Sequence, residues 1–276
     1  MTPLPSGFFL KSGTGQRLCL FHAPAGATPR GQILFFHPFA EELNTSRRVV
    51  AQQARALAQA GYAVLQFDML GCGDSSGDFA DARWQDWLDD ASTAADWLAA
   101  HAQGPLWFWG MRTGALLAAE SLRSTRGGAN LLLWQATPSG QQVLQQFLRL
   151  QAAGQWLSGQ PNPNADTPDS LLAKGQPVDI AGYTLSPELA QGLAQARLRP
   201  PERRAPGRLI WLEVSSQASP SLGLASEMSL KKWREAGWNI QAQAVQAPSF
   251  WQTASNDEAP ALVAATLAAL EQQALP

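Results

Sequence analysis

The sequence has few of the residues with which enzymes usually bind metals or transfer protons. Its 276 residues include two cysteines, Cys19 and Cys72, and three histidines, His22, His37 and His101. Two cysteines are too few for a disulfide framework or a cysteine zinc site, so we expect a reducing compartment and no bound metal or cofactor. All three histidines lie in the first half of the chain, which excludes a mechanism that needs a late histidine.

Charge and long apolar runs are also scarce. Charged residues make up 15% of the chain, and the formal net charge of -2 gives no basic surface for nucleic acid. No stretch approaches the roughly 20 apolar residues of a membrane span, and the N-terminus does not resemble a secretory signal. Because 45% of the residues are hydrophobic, the chain can bury a core. We therefore expect a globular cytoplasmic protein without a transmembrane segment.

Short apolar runs alternate with segments of helical periodicity, a pattern typical of an α/β protein with a mostly parallel sheet. The runs predict strands at Leu18–Phe21, Ile33–Phe36, Ala63–Phe67, Leu106–Trp109, Leu131–Trp134, Leu209–Glu213 and Ile240–Val245. An opening run at Phe8–Leu10 is expected to pair antiparallel with the first of them. The intervening periodicity predicts helices at Arg47–Ala60, Arg83–Ala102, Gly114–Arg123, Ser226–Glu235 and Glu258–Gln273.

One segment, Ser139–Pro206, interrupts this alternation because it holds no convincing core strand and is rich in Gln, Pro and Asn around Gly159–Asn164. The spacings of Val143, Phe147 and Leu150, and of Leu189 and Leu193, each place their residues on one helical face. We therefore expect short helices and polar loops that form a lid on an α/β core. The predicted division is a core of residues 1–138 and 207–276 with a lid of residues 139–206.

The sequence Gly110-Met111-Arg112-Thr113-Gly114 lies between a predicted strand and a predicted helix. A glycine on each side of a central residue in this position is the pattern of a nucleophile elbow. In this turn, in the order of its elements and in the loop Asp68–Gly77, the chain resembles the α/β-hydrolase superfamily. The resemblance implies an α/β-hydrolase fold, with functional groups at the carboxyl ends of the strands.

More specifically, the chain resembles the exosortase A system-associated hydrolase 2 family, which is found beside bacterial exosortase and exopolysaccharide genes. The stretches that carry this likeness span most of the chain and are Pro38-Phe39-Ala40-Glu41-Glu42 with Asn44, Ser46, Arg47 and Arg48, Ile180–Tyr183 with Leu185-Ser186-Pro187, and Pro248–Thr253. The family implies a hydrolase, and a partner protein or metabolite from that system.

The sequence departs from a working hydrolase at each position of the Ser-His-Asp triad. Arg112 stands where the elbow serine would be, and a permanently protonated guanidinium is not a nucleophile. The loop Ser215–Pro220 holds no carboxylate, and Ala247–Trp251 holds no histidine. Since the triad works only when its three groups are hydrogen-bonded in series, the pattern predicts a degenerate catalytic site.

Arg112 is the main candidate for binding. At the start of a helix, its guanidinium and the backbone N–H groups of Thr113 and Phe39 predict a site for a carboxylate, phosphate or sulfate. The alternative is an internal ion pair of Arg112 with Glu41, Glu42 or Asp74. The further residues expected at the ligand site are Met111, His37, Glu41, Glu42, Trp134 and Trp251.

Three weaker catalytic candidates are His37, Cys72 and Ser75. The resemblance implies that His37 supports the turn after its strand, while the alternative is a nucleophilic thiolate–imidazole pair with Cys72. Ser75 is expected to organise its turn, with a displaced nucleophile as the alternative. For Trp134 and Trp251 the two interpretations are core packing and the lining of a ligand pocket.

Three functions remain compatible with the sequence. The first is a non-hydrolytic binding or accessory protein for an anionic or acyl ligand in an exosortase or exopolysaccharide system. The second is an active hydrolase or acyltransferase, acting on esters or thioesters with a non-standard set of residues. The third is a structural subunit of a protein complex that makes contact through the lid.

Overall fold

The computed structural model describes residues 4–125, 127–157, 166–202, 205–253 and 257–272. Ten strands are present in these residues: β1 Ser6–Ser12, β2 Gly15–His22, β3 Gly31–Phe36, β4 Tyr62–Phe67, β5 Leu106–Met111, β6 Asn130–Trp134, β7 Val178–Ile180, β8 Tyr183–Leu185, β9 Arg208–Ser215 and β10 Asn239–Gln246. The α-helices are α1 Glu41–Gln59, α2 Trp84–His101, α3 Gly114–Ser121, α4 Gly140–Leu157, α5 Pro168–Ala173, α6 Pro187–Gln195, α7 Leu224–Glu235 and α8 Pro260–Glu271.

Eight of these strands form one sheet in the order β1-β2-β4-β3-β5-β6-β9-β10. Strand β2 is antiparallel to both β1 and β4, and the other neighbours are parallel. Helices α1 and α8 cover one face, and helices α2, α3 and α7 cover the other. This arrangement is the α/β-hydrolase fold, so the fold prediction is confirmed.

All seven predicted core strands and all five predicted helices are present, and most ends agree to within three residues. The exception is α1, which begins at Glu41 rather than at Arg47. Asn44, Thr45 and Ser46, which precede the predicted start, lie inside the helix. The Thr45 and Ser46 hydroxyls donate to main-chain oxygens three or four residues earlier, a bond that lets such side chains lie within a helix.

The segment after β6 differs from its prediction in three ways. Helix α4 is 18 residues long rather than short, and β7 and β8 form a separate antiparallel hairpin that was not predicted. Val143 and Phe147 are buried as expected, as are Leu189 and Leu193, but the Leu150 side chain is exposed. The polar stretch Gly159–Asn164 lies outside the described residues.

The two ends of this segment meet on the core. Ser139 and Arg197 form an antiparallel bridge, which is extended by hydrogen bonds from Gly140 N–H to Ala196 O and from Leu198 N–H to Pro138 O. The segment therefore leaves the sheet and returns to it at one place. In the part of the chain that the structure describes, no helix combines the length and apolar character needed to cross a membrane.

The start of α3 lies unusually close to the end of β3. A Cβ atom on Gly114 would stand 2.6 Å from the His37 carbonyl oxygen and would also collide with that of Phe36. A Cβ atom on Gly110 would stand 2.6 Å from the Ala115 Cα atom. Main chain cannot move aside as a flexible side chain can, so only glycine fits either position.

We predict that Gly114→Ala lowers the free energy of unfolding by about 2–3 kcal/mol, because the added methyl group forces the two backbone segments apart. The control is Gly7→Ala on the edge strand β1, where a Cβ atom would make an ordinary 3.5 Å contact with Leu20. Urea denaturation measures both variants. Equal stability of the two would show that the close approach of α3 to β3 is not a constraint.

Candidate functional site

The turn between β5 and α3 holds Arg112 in a left-handed backbone conformation. Its φ angle is +53°, which is uncommon for a residue other than glycine and recurs at functional sites. The Arg112 N–H donates to the Trp134 carbonyl oxygen at 3.0 Å, which ties the turn to the end of β6. The backbone geometry of a nucleophile elbow is therefore present, with an arginine as its central residue.

The Arg112 side chain binds Glu42 in the first turn of α1. Its Nε atom donates to both carboxylate oxygens at 3.1 and 3.2 Å, and its Nη2 atom donates to Oε1 at 2.9 Å. The side chains of Arg112 and Glu42 are 17% and 25% exposed, so water screens the pair only in part. Of the predicted carboxylate partners, Glu42 pairs with Arg112.

Two opposed effects act on the Glu42 carboxyl group. Burial raises its pKa, because the charged form loses water, and the adjacent Arg112 guanidinium lowers it. The Trp251 ring lies on another side of the guanidinium, with its centroid 5.7 Å from the Arg112 Cζ atom. Arg112 is thus enclosed by a carboxylate and an aromatic face.

Several hydrogen-bond donors around the elbow remain unused. Among the residues that the structure describes, none accepts a hydrogen bond from the Arg112 Nη1 atom or from the backbone N–H groups of Phe39 and Thr113. Phe39 belongs to the turn after β3, which the close contact at Gly114 holds against the start of α3. These groups can donate to an anion or to a carbonyl oxygen.

Glu41 points to a different partner from Glu42. Its Oε2 atom accepts from the Tyr183 hydroxyl at 2.9 Å and from the Asn44 amide at 3.0 Å, which joins α1 to the β7–β8 hairpin. Burial and the Glu41 carboxylate raise the pKa of Tyr183 to about 12, so its hydroxyl keeps its proton and donates.

Tyr183 was not among the predicted site residues, although a signal for its hairpin exists. The residues between its strands are Ala181 and Gly182, both with positive φ, and a two-residue turn ending in glycine is typical of a tight hairpin.

The loops that would supply the acid and the histidine of a triad have other roles here. Residues 216–219, after β9, are exposed. The carboxylate that precedes this loop in the sequence is that of Glu213, and it accepts from the Gly223 N–H at 3.1 Å, next to the start of α7. In the loop after β10, the Trp251 carbonyl oxygen accepts from the Thr45 hydroxyl at 2.8 Å.

Both ring nitrogens of His37 are engaged with main chain. Nδ1 donates to the Pro38 carbonyl oxygen at 2.8 Å, and Nε2 accepts from the Met69 N–H at 3.3 Å, an assignment of the ring proton that follows from these partners. Burial lowers the pKa of His37, which keeps the ring neutral. The residue therefore links the turn after β3 to the turn after β4.

Neither Cys72 nor Ser75 is prepared for nucleophilic attack. Burial raises the pKa of Cys72, and the Asp68 and Asp90 carboxylates raise it further, so the thiol keeps its proton. The Ser75 hydroxyl donates to the Asp68 carbonyl oxygen at 2.6 Å and accepts from the Leu18 N–H at 2.9 Å. It holds the loop after β4 against β2.

Two predicted ligand-binding residues, Met111 and Trp134, are core residues instead. Both side chains are fully buried on the sheet face that α1 and α8 cover, and the Trp134 indole donates to the Thr266 hydroxyl of α8. Phe39 is also buried, against Phe79, Trp87 and Phe147. The prediction that Met111 and Trp134 line the site is corrected, because each lies on a strand face that points into the core.

The elbow brings together charged groups and hydrogen-bond donors. In the described part of the chain, no three histidine, cysteine, aspartate or glutamate side chains converge as metal ligands. The groups that meet at the turn are a permanently protonated guanidinium, its carboxylate partner and unpaired N–H donors. The guanidinium and the N–H donors are not nucleophiles, and the Glu42 carboxylate, which could be one, is bound to Arg112.

We predict a coupling free energy of about 1–2 kcal/mol between Arg112 and Glu42, above the range of exposed pairs because this pair is largely buried. The measurement is a double-mutant cycle of Arg112→Ala and Glu42→Ala by urea denaturation. The control cycle uses Arg48 of α1 and Glu258, an exposed pair, for which we expect less than about 0.5 kcal/mol. Equal coupling in the two cycles would contradict the prediction.

Comparison with known proteins agrees with the geometry. The family model described as "Serine aminopeptidase, S33" matches residues 27–175, more than half of the chain. No curated protein matches significantly.

Solved structures are similar in fold at low sequence identity. Est1E from Butyrivibrio proteoclasticus, with ferulic acid bound, has a TM-score of 0.63 and 16% identity, and the match covers 96% of each chain. A thermostable carboxyl esterase from Bacillus coagulans has a TM-score of 0.57 and 14% identity, covering 89% of this chain and 91% of that one. A serine hydrolase homologue from Coxiella burnetii has a TM-score of 0.54 and 14% identity over 100% of both chains. By its fold and its family match, the chain belongs to the serine aminopeptidase S33 family of the α/β-hydrolase superfamily.

Proposed function

We propose that this chain is a non-hydrolytic member of its family that acts as a binding or accessory protein for an anionic or acyl ligand. The observation that carries the proposal is the Arg112–Glu42 pair at the centre of the elbow. In a hydrolase, that position requires a side chain that can form a covalent intermediate. A guanidinium already bound to a carboxylate provides none.

The candidates for a non-standard mechanism favour the same conclusion. A substitute nucleophile needs a free lone pair and a base within hydrogen-bond reach. The Ser75 hydroxyl donates to a main-chain oxygen, burial raises the pKa of Cys72, and both nitrogens of the His37 ring have main-chain partners. The His37 ring is therefore not available as a base to either nucleophile.

The unused donors around Arg112 support a ligand with a carboxylate, phosphate or acyl oxygen. In the hydrolase resemblance, the N–H groups of Thr113 and Phe39 are the donors that bind the oxyanion, and Arg112 Nη1 is a further donor from the same turn. Glu42 competes with such a ligand, because its negative charge offsets that of the guanidinium. We infer that an anion binds most strongly when Glu42 is neutral or has moved away.

The resemblance to the exosortase A system-associated family supports a cytoplasmic role beside exosortase or exopolysaccharide proteins. The segment after β6 supports the lid interpretation through its contacts, since Phe147 of α4 packs on Phe39 and Tyr183 binds Glu41. We propose that this segment covers the ligand. The same surface is the contact site if the protein serves instead as a subunit of a complex.

We predict that the protein does not hydrolyse p-nitrophenyl acetate or butyrate, or the matching thioesters, faster than the same buffer containing the Arg112→Ala variant. The measurement is the initial rate of product release at enzyme concentrations of micromolar order. Turnover in the unaltered protein that disappears in Ser75→Ala or Cys72→Ala would overturn the non-hydrolytic assignment.

We predict that Glu42→Gln binds malonate or inorganic phosphate at least fivefold more tightly than the unaltered protein, because the amide keeps the shape of the side chain and removes the competing charge. Arg112→Ala should lose this binding. Isothermal titration at low ionic strength measures all three proteins, with urea denaturation to show that each is folded. The absence of binding in folded Glu42→Gln would mean that the ion pair has a structural role only.

A further inference from the structure

A second candidate site, which Arg112 does not line, lies beside α1. A cavity of about 170 Å³, partly open to solvent, lies between this helix and strands β2, β3 and β4. Most of its wall is apolar, formed by Leu18, Leu20, Phe35, Leu43 and Val50. An engineered apolar cavity of about 150 Å³ holds a benzene molecule, so this one can hold a side chain of four or five carbons.

The cavity is not wholly apolar, because the Asp68 carboxylate lies in its wall and has few partners. Asp68 is buried, yet its Oδ2 atom accepts only one long hydrogen bond, from the Asp74 N–H at 3.4 Å. Its Oδ1 atom has no hydrogen-bond partner among the described residues. A buried carboxylate normally has several donors or a closely paired cation, so this one has capacity for a further donor.

The loop after β4 fixes the position of this carboxylate. Gly73 has a φ angle of +54°, and a Cβ atom there would stand 2.7 Å from the Asp68 Cγ atom. The Ser75 hydroxyl holds the Asp68 carbonyl oxygen. Backbone geometry therefore allows the carboxylate to approach the loop closely and keeps it at the cavity wall.

Donors face Asp68 from other parts of the same wall. The Arg47 guanidinium lies at 3.5 Å from Oδ2, too far for a good hydrogen bond, and its side chain is 45% exposed. The Gln66 amide oxygen is paired with the His22 ring, and its NH₂ group has no partner in the part of the chain that the structure describes. His37 also lines the cavity, but both of its nitrogens are engaged and burial keeps it neutral. The wall thus combines one anion, one cation and an apolar chamber.

From this combination we propose that the cavity binds a small free amino acid with an apolar side chain of about the size of leucine. The ammonium group donates to Asp68, the carboxylate accepts from Arg47, and the side chain fills the apolar chamber. Each charged group of the ligand then pairs with a protein group of opposite charge. Two close ion pairs to the ligand replace the long Arg47–Asp68 pair. This proposal does not depend on the function proposed for the elbow.

Two analogues of L-leucine that each lack one charged group test the assignment by titration calorimetry. 4-Methylpentanoate lacks the ammonium group, and 3-methylbutylamine lacks the carboxylate. We expect saturable binding of L-leucine and at least tenfold weaker binding of both analogues. An analogue that binds as tightly as L-leucine, or L-leucine that does not bind at millimolar concentration, would overturn the proposal.

Variants show whether L-leucine binds in the cavity or elsewhere on the protein. Ala51→Leu fills the cavity with an apolar side chain, so we expect it to keep or raise the free energy of unfolding and to abolish L-leucine binding. Asp68→Asn should weaken binding at least tenfold, and Arg48→Ala, next to Arg47 but paired with Glu258, should leave it unchanged. Unaltered L-leucine binding by folded Ala51→Leu would place the amino acid elsewhere and refute the assignment.

Discussion

The closeness of α3 to the end of β3 is the constraint on which the elbow depends. Two glycines, Gly110 and Gly114, let main chain pass where any side chain would collide. The residue between them then has to adopt a positive φ, a conformation that costs about 1–2 kcal/mol for an L-residue. Any residue at position 112 other than glycine bears such a cost, whatever its chemistry. The turn therefore presents whatever residue it holds at the edge of the sheet, whether or not that residue is a nucleophile.

An arginine in this turn needs an anionic partner for two reasons. The helix that follows has the positive end of its dipole at the turn, which disfavours a cation, and the guanidinium is largely buried. The negative charge of Glu42 offsets both effects. Glu42 lies in the first turn of α1, where the dipole of that helix favours an anion. The pair thus joins a cation at the N-terminus of α3, where the dipole disfavours it, to an anion at the N-terminus of α1, where the dipole favours it. Removal of either leaves the other charge with no close partner.

The core of the fold was predictable from sequence, because buried parallel strands are continuous apolar runs. Their alternation with helices can be recognised without knowing which side chains are in contact. The partner of Arg112 was predicted only as one of three carboxylates. A helix start at Arg47 would leave Glu41 and Glu42 in a loop without a defined direction. With the start at Glu41, the helix turns each residue by about 100° from the last, so Glu42 reaches the elbow while Glu41 reaches Tyr183. An error of six residues in one helix start therefore left the choice among Glu41, Glu42 and Asp74 open.

The same helix separates the two candidate sites. Glu42 projects toward Arg112, whereas Leu43, Arg47 and Val50, spaced three to four residues apart, share the face that closes the cavity. Glu42 and Arg47 each meet a group from a turn that follows a parallel strand, Arg112 after β5 for Glu42 and Asp68 after β4 for Arg47. Glu42 and Arg47 lie on one helix, so a movement of α1 would displace both residues together. The Thr45 hydroxyl joins the first turns of this helix to the Trp251 carbonyl oxygen. A change confined to one site must therefore come from side-chain rotation or from the turn that follows its strand. The two sites share helix α1, yet a ligand at one of them need not affect the other.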